Sequence, residues 1–141
     1  MEDIYSTLLN ELGKCEKSKD VPVSALLLNT KNEIVAKSFN SRQKKYSFTN
    51  HAEVCVLNKI YKKRKTKNLS DYILITTLKP CLMCITIIEQ ANIKEVRYFL
   101  ENFKCNYNRI ETKINFEKIG SQEQCNELEK YLKEFFLELR K

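Results

Sequence analysis

The chain has 141 residues, a net charge of +7, a sequence pI near 9.1 and a mean hydropathy of −0.47. That length suits a single domain, residues 1–141, able to bury a core without disulfide staples. No apolar run approaches the roughly 20 residues a membrane span needs, so no membrane partner is expected, and the basic balance favours a polyanionic one.

In chain order, Ile4, Leu8, Leu12 and Cys15 recur at helical spacing and predict a helix over residues 3–16. Val23–Leu28 reads as a buried strand. Asn29-Thr30-Lys31-Asn32 is turn chemistry, and Ile34–Phe39 follows as a second strand, giving a hairpin. Asn40–Asn50 is a polar loop carrying Arg42, Lys44, Lys45, Tyr46 and Phe48. A helix is predicted from His51 to about Lys65, a strand over Tyr72–Thr77, a helix over Cys81–Ala91 and a strand over Glu95–Leu100. This strand–helix–strand unit implies a parallel pair. Residues 101–114 are irregular, and Phe116–Ile119 is a short last strand. Ser121 and Gln124 form a capping box ahead of a helix with Cys125, Leu128, Leu132, Phe135, Phe136 and Leu139 on one face.

The six cysteines are Cys15, Cys55, Cys81, Cys84, Cys105 and Cys125. No charged leader followed by an apolar stretch opens the sequence, so a reducing, cytoplasmic setting is expected, with Cys-x-x-Cys a metal or redox pair. The other four are expected to be free, with Cys55 and Cys125 in the core.

The only histidine opens His51-Ala52-Glu53, and Pro80-Cys81-Leu82-Met83-Cys84 follows. Cys81 and Cys84, three apart, project from one face of a helix start, where the dipole favours thiolate. Pro80 suits the first helical turn. With His51 they make three zinc ligands and leave a fourth position for water, the mark of a catalytic site with one Zn2+ per chain. Glu53 is placed to move protons during hydrolytic deamination. Taken singly, each part has a plainer reading. Asn50 with Glu53 fits a helix capping box, and Cys-x-x-Cys alone fits a redox pair or half of a structural zinc site.

Joined as H-x-E…P-C-x-x-C, these residues resemble the zinc-dependent cytidine deaminase-like superfamily, for which this pattern is the known signature. Further matches are Asp20-Val21-Pro22-Val23-Ser24-Ala25, Asn40, Thr49 and the tail from Gln124 to Lys141. They make the chain similar to the tRNA-specific adenosine deaminases within that superfamily. The resemblance implies a three-layer α/β/α sandwich around a mixed five-stranded sheet, and a homodimer. It also implies conversion of adenosine to inosine at the wobble position of a tRNA anticodon stem-loop. It places Asn40, Ala52, Val23 and Pro80 at the target nucleoside. The alternatives are a deaminase of a free base or nucleotide, such as guanine or cytosine derivatives, and a non-catalytic zinc-containing RNA-binding subunit.

This chain departs from the family pattern at Ser24 for glycine, Ser47-Phe48 for Asp-Pro and Lys79 for Glu. Ile85-Thr86-Ile87 replaces a small stretch, Thr86 and Ile87 being expected to reshape packing behind the pocket, and the usual motif is missing at Leu100–Phe103. Arg42, Lys44, Lys45, Tyr46 and Phe48 are candidate RNA contacts, the two aromatics by stacking on splayed bases, or else packing anchors of their loop. The run Lys59, Lys62, Lys63, Arg64, Lys65 and Lys67 is either a solvated helix end or a phosphate contact. Arg140 and Lys141 touch RNA or simply favour the helix C-terminus. Ile85, Ile88 and Ala91 share a helix face that is either core or dimer contact.

Overall fold

The computed structural model describes residues 3–139. Arg140 and Lys141, candidate RNA contacts from the sequence, lie outside the described residues.

The first helix, α1, runs Ile4–Ser18 and is capped by Asp3, whose carboxylate accepts from the Ser6 amide. Leu8, Leu12 and Cys15 form its buried stripe. Strands β1 (Ser24–Leu28) and β2 (Ile34–Phe39) pair antiparallel. Their turn is closed by Asn29, whose side-chain oxygen accepts from the amides of Lys31 and Glu33. After the short helix α2 (Arg42–Lys45) come α3 (Ala52–Arg64), β3 (Ile73–Leu78), α4 (Leu82–Gln90) and β4 (Glu95–Leu100). A 3-10 turn at Tyr107–Arg109, β5 (Asn115–Lys118) and α5 (Gln122–Leu139) complete the order. The predicted elements thus occur with ends shifted by a residue or two. The additions are α2 within the expected polar loop and the 3-10 turn within the irregular stretch.

The sheet has the order β2-β1-β3-β4-β5. β1 is antiparallel to both β2 and β3, while β3–β4 and β4–β5 are parallel. Every residue of β1 is buried, as expected of a strand covered on both faces. Alternation then divides the core. Ala25, Leu27, Leu74 and Val96 pack with Val56, Leu57 and Ile60 of α3 and with Ile85 and Ile88 of α4. Leu26, Leu28, Ile75 and Phe99 pack with Leu8 and Leu12 of α1 and with Cys125 and Leu128 of α5. The result is the expected three-layer sandwich, each buried Leu or Ile contributing about 1.5–3 kcal/mol relative to exposure.

Ser24 explains itself. Its hydroxyl, fully buried, donates to the Leu8 carbonyl at 2.8 Å and ties β1 to α1. Ile85 and Ile88 are core. Thr86, by contrast, is exposed and donates to the Leu82 carbonyl, so it does not pack behind the pocket as expected. Cys125 is buried, whereas Cys55 is only half-buried and contacts the Ser41 hydroxyl at 3.6 Å. The reason is that α3 turns Cys55 toward the residues beside α2 and gives Val56 and Leu57 to the sheet.

Candidate functional site

Two helix N-termini meet at the carboxyl end of β3. β3 leads through Lys79 and Pro80 into Cys81, which is the N-cap of α4, with Cys84 in the first turn. Pro80 therefore precedes the helix and does not occupy its first turn, because the extended backbone of Cys81, ψ 172°, marks the boundary. His51 is the N-cap of α3. Asn50 precedes the N-cap of α3 and its amide donates to Ser41 Oγ, so the Asn50–Glu53 capping box does not form, and His51 and Cys81, which make no side-chain capping bond, are free to face one another.

His51 Nδ1 lies 3.6 Å from Cys81 Sγ and 3.4 Å from Cys84 Sγ. The three ligand atoms all fall within 4.8 Å of one another. A tetrahedral centre with bonds of about 2.3 Å to sulfur and 2.0 Å to nitrogen separates ligand S and N by roughly 3.5 Å. The donor set and its spacing therefore fit a zinc ion.

Without a metal the three groups share protons. The Cys84 thiol donating to Cys81, and then His51, hold the Cys81 thiol down at about 4. Cys84 is pushed up by that same hydrogen bond and by burial, and His51 is raised by its bond to Cys81. A divalent cation held by these atoms would take the place of the protons, and the two helix dipoles would support the resulting thiolates.

Glu53 sits in the first turn of α3 and is 4% exposed. Burial holds its carboxyl above the usual carboxylate range.

These side chains open on a cavity of about 400 Å3 that Val23, Asn40, Ala52, His51, Glu53 and Cys81 help to line. Pro80 does not line it. Pro80 is buried behind Cys81, its carbonyl accepting from the Tyr107 hydroxyl at 2.9 Å. Asn40 is fixed by donating to the Val21 carbonyl at 3.1 Å and accepting from the Arg42 amide at 3.3 Å. One N–H and one lone pair of its amide remain to meet a ligand.

A second hollow of about 900 Å3 adjoins this cavity and shares Val21, Asn40, Arg42 and Phe136 with it. Lys44, Tyr46 and Phe48 line it; Lys45 lines neither. Tyr46 is 91% and Phe48 85% exposed, which rules out packing anchors for their loop. The Arg42 guanidinium sits 5.8 Å from the Phe48 ring. Buried Asp20 holds this wall in place, its carboxylate accepting from the amides of Gln43 and Lys44 at the start of α2.

The opposite wall comes from the irregular segment and α5, and sequence reasoning missed it. Glu101, Asn102, Phe103, Lys104 and Cys105 line the cavity with Leu132 and Phe136. Phe103 is 92% exposed. Lys104 reaches over the Phe136 ring at 4.4 Å, joining segment to helix. The only prior signal was the departure from the family pattern at Leu100–Phe103. Lys79 also lines the cavity. Its ammonium is caged by the rings of Tyr107 at 4.2 Å, Phe116 at 4.9 Å and Tyr98 at 5.4 Å.

A sheet of this order, with a His-x-Glu helix and a Cys-x-x-Cys helix converging on one cavity, defines a zinc-site deaminase. The chain belongs to the cytidine and deoxycytidylate deaminase family, matching the description "Cytidine and deoxycytidylate deaminase zinc-binding region" over residues 1–100. Within that family it is 32% identical over 98 residues to a tRNA-specific adenosine deaminase of Rickettsia bellii, a match spanning 69% of this chain and 66% of that one. The structure of a tRNA:A34 deaminase that performs A-to-I editing at the wobble position superimposes with a TM-score of 0.72. The two are 22% identical, with 81% of this chain and 95% of that one covered. The guanine deaminase of Nitrosomonas europaea reaches the same TM-score at 13% identity, covering 96% of this chain and 85% of that one. Both structures share the fold.

Proposed function

We propose that residues 1–141 form one hydrolytic deaminase domain that holds a single zinc ion and converts adenosine to inosine at the wobble position of a tRNA anticodon. The observation that carries the RNA reading is the adjoining hollow. Its wall of Arg42, Lys44, Tyr46 and Phe48 offers charge for phosphates and exposed ring faces for unstacked bases. A free base fills only the inner cavity.

In this reading His51, Cys81 and Cys84 hold the zinc, which supplies the Lewis acidity that lets water ionise near neutral pH. Asn40 orients the nucleoside through its remaining amide N–H and lone pair. Val23 and Ala52 shape the inner wall against the base, and Pro80 sets the turn that delivers Cys81. Glu53 takes one proton from the attacking water and places it on the ring nitrogen next to the reacting carbon, then takes the remaining proton of the newly added hydroxyl and passes it to the departing amino group. Water and adenosine thus become inosine and ammonia.

The described cysteines are all free, and no described helix is long and apolar enough to cross a membrane; both accord with work on tRNA in the cytoplasm. A homodimer is read from the family resemblance. Light scattering on the purified protein measures it directly.

The decisive assay incubates the zinc-loaded protein with an anticodon stem-loop carrying wobble adenosine and measures inosine by nucleoside chromatography. Inosine that disappears with Glu53→Ala supports the reading. No inosine from a folded, zinc-loaded protein, with deamination of guanine in its place, transfers the function to free bases.

A further inference from the structure

The net positive charge of this protein is confined to one flank. Of its 25 Lys and Arg, ten lie between Ile34 and Ser70; of its 18 Asp and Glu, only Glu53 does. That leaves fifteen basic and seventeen acidic residues for all the rest of the chain. Glu53 is buried in the site, so the surface built from this stretch presents no carboxylate of its own.

The tertiary structure makes the stretch a continuous strip. β2 is the edge strand of the sheet and α3 packs against it. Beginning at the mouth of the cavity, Lys44 lies 5.3 Å over the ring of Phe39, the last residue of β2. Two residues back, the Lys37 carbonyl accepts from Lys59 Nζ of α3 at 2.6 Å. Lys63 follows one turn further along α3, about 6 Å on. Lys37, Lys59 and Lys63 rim a shallow hollow of about 280 Å3 floored by Ile34, Val35, Ala36 and Ile60. Beyond it come exposed Arg64, Lys65 and Lys67. From His51 at the site, α3 carries the strip about 20 Å. Among the described residues, none of the ion pairs involves a Lys or Arg of this flank.

We propose that the β2–α3 flank is a docking surface for the double-stranded stem of the RNA whose loop enters the cavity. This rests on the RNA reading of the site. A duplex backbone is the partner of matching chemistry: a regular polyanion, physically continuous with the substrate, needing cations spaced along a line and no apolar pocket. Sequence plays no part in such contacts; they set register and contribute salt-dependent affinity. The loop-proximal residues Arg42 and Lys44 and the distal residues Lys37, Lys59 and Lys63 then act on different parts of one RNA.

The test compares binding of two probes, a stem-loop and the same loop without its stem, by fluorescence anisotropy over a range of salt. Lys59→Gln/Lys63→Gln is expected to weaken stem-loop binding about tenfold and to lower its log–log salt slope by about 2. It should leave loop binding and kcat at saturating stem-loop unchanged, and Lys59→Arg/Lys63→Arg should retain wild-type affinity. Lys94→Gln/Lys113→Gln, which removes equal charge from the opposite end of the parallel strands, should change nothing. Wild-type affinity and slope in the Gln pair overturn the proposal, as does an equal loss in the Lys94/Lys113 pair or on the stemless loop. Because binding needs no turnover, a protein that makes no inosine but shows the stem-dependent loss refutes the deamination substrate and keeps the surface. Inosine formation with no stem-dependent loss does the reverse.

Discussion

Removing Glu53 and removing any of the three proposed ligand side chains should fail in different ways, and the difference tests their roles. Glu53→Gln keeps His51, Cys81 and Cys84 in place, so zinc content by metal analysis should stay near one per chain while kcat falls by about 10²–10⁴. His51→Ala, Cys81→Ala or Cys84→Ala each removes a donor from a set whose atoms lie within 4.8 Å of one another. Each should lose both metal and turnover; full occupancy in any of them would sink the ligand set. Lys79 gives a second residue-level test. Its three-ring cage attracts a cation and repels a carboxylate, so Lys79→Glu should cost about 2 kcal/mol in denaturant unfolding. Cys15 reports on pH. Burial pushes its thiol up to about 11 from an ordinary value of 9.0. The folded state therefore keeps a proton that the unfolded state gives up above pH 9. Its contribution is intact below pH 9 and is lost as pH rises through 11. Cys15→Ala should flatten that alkaline fall in Tm.

At the scale of elements, helix ends carry an unusual load because the chain has only two glycines. Left-handed backbone falls on Lys19, Asn32, Tyr46, Lys65 and Asn92. A non-glycine residue there costs about 1–2 kcal/mol. Lys65 ends α3 with φ 56°, and Lys65→Gly is expected to raise stability by about 0.5–1 kcal/mol. Gly120, at φ +93°, is the reverse case. A Cβ there would stand 2.3 Å from the Phe99 ring, so Gly120→Ala should cost about 2–3 kcal/mol through strain and overpacking. Next to it, Ser121 and Gln124 make the reciprocal capping box that starts α5, the Gln124 amide donating to Ser121 Oγ and the Ser121 amide to Gln124 Oε1. That start sets the phase of α5, which carries Leu132 and Phe136 to the cavity.

For the molecule as a whole, a zinc ion held by His51, Cys81 and Cys84 would fasten α3 to α4 across one face of the sheet. Ligand binding to the folded state alone raises stability, so chelation should lower Tm and readdition of zinc should restore it. The loss should be absent in Cys84→Ala, which has no complete site to empty. The charge distribution acts at the same scale. A net +7 spread evenly would only keep the protein soluble; gathered on the β2–α3 flank it becomes a directional field along the path to the cavity.

The sequence by itself determined what depends on neighbours along the chain. Helical spacing located α1 and α5, an uninterrupted apolar run marked β1 as buried, and Ser121 with Gln124 announced a cap. His51, Glu53, Cys81 and Cys84 were legible because metal and proton chemistry demand specific residue types at fixed short spacings. Only the tertiary structure decided what depends on segments far apart meeting. Cys55 left the core because α3 gave other residues to the sheet, and Pro80 moved behind the cavity because the helix begins one residue later. Phe103, Lys104 and Phe136 became a wall only when residues 101–110 and α5 were brought over the site. The Lys79 cage required β4, β5 and the 3-10 turn to assemble around one side chain. Such contacts leave no periodic trace in sequence, since what selects them is packing between elements and not the local backbone.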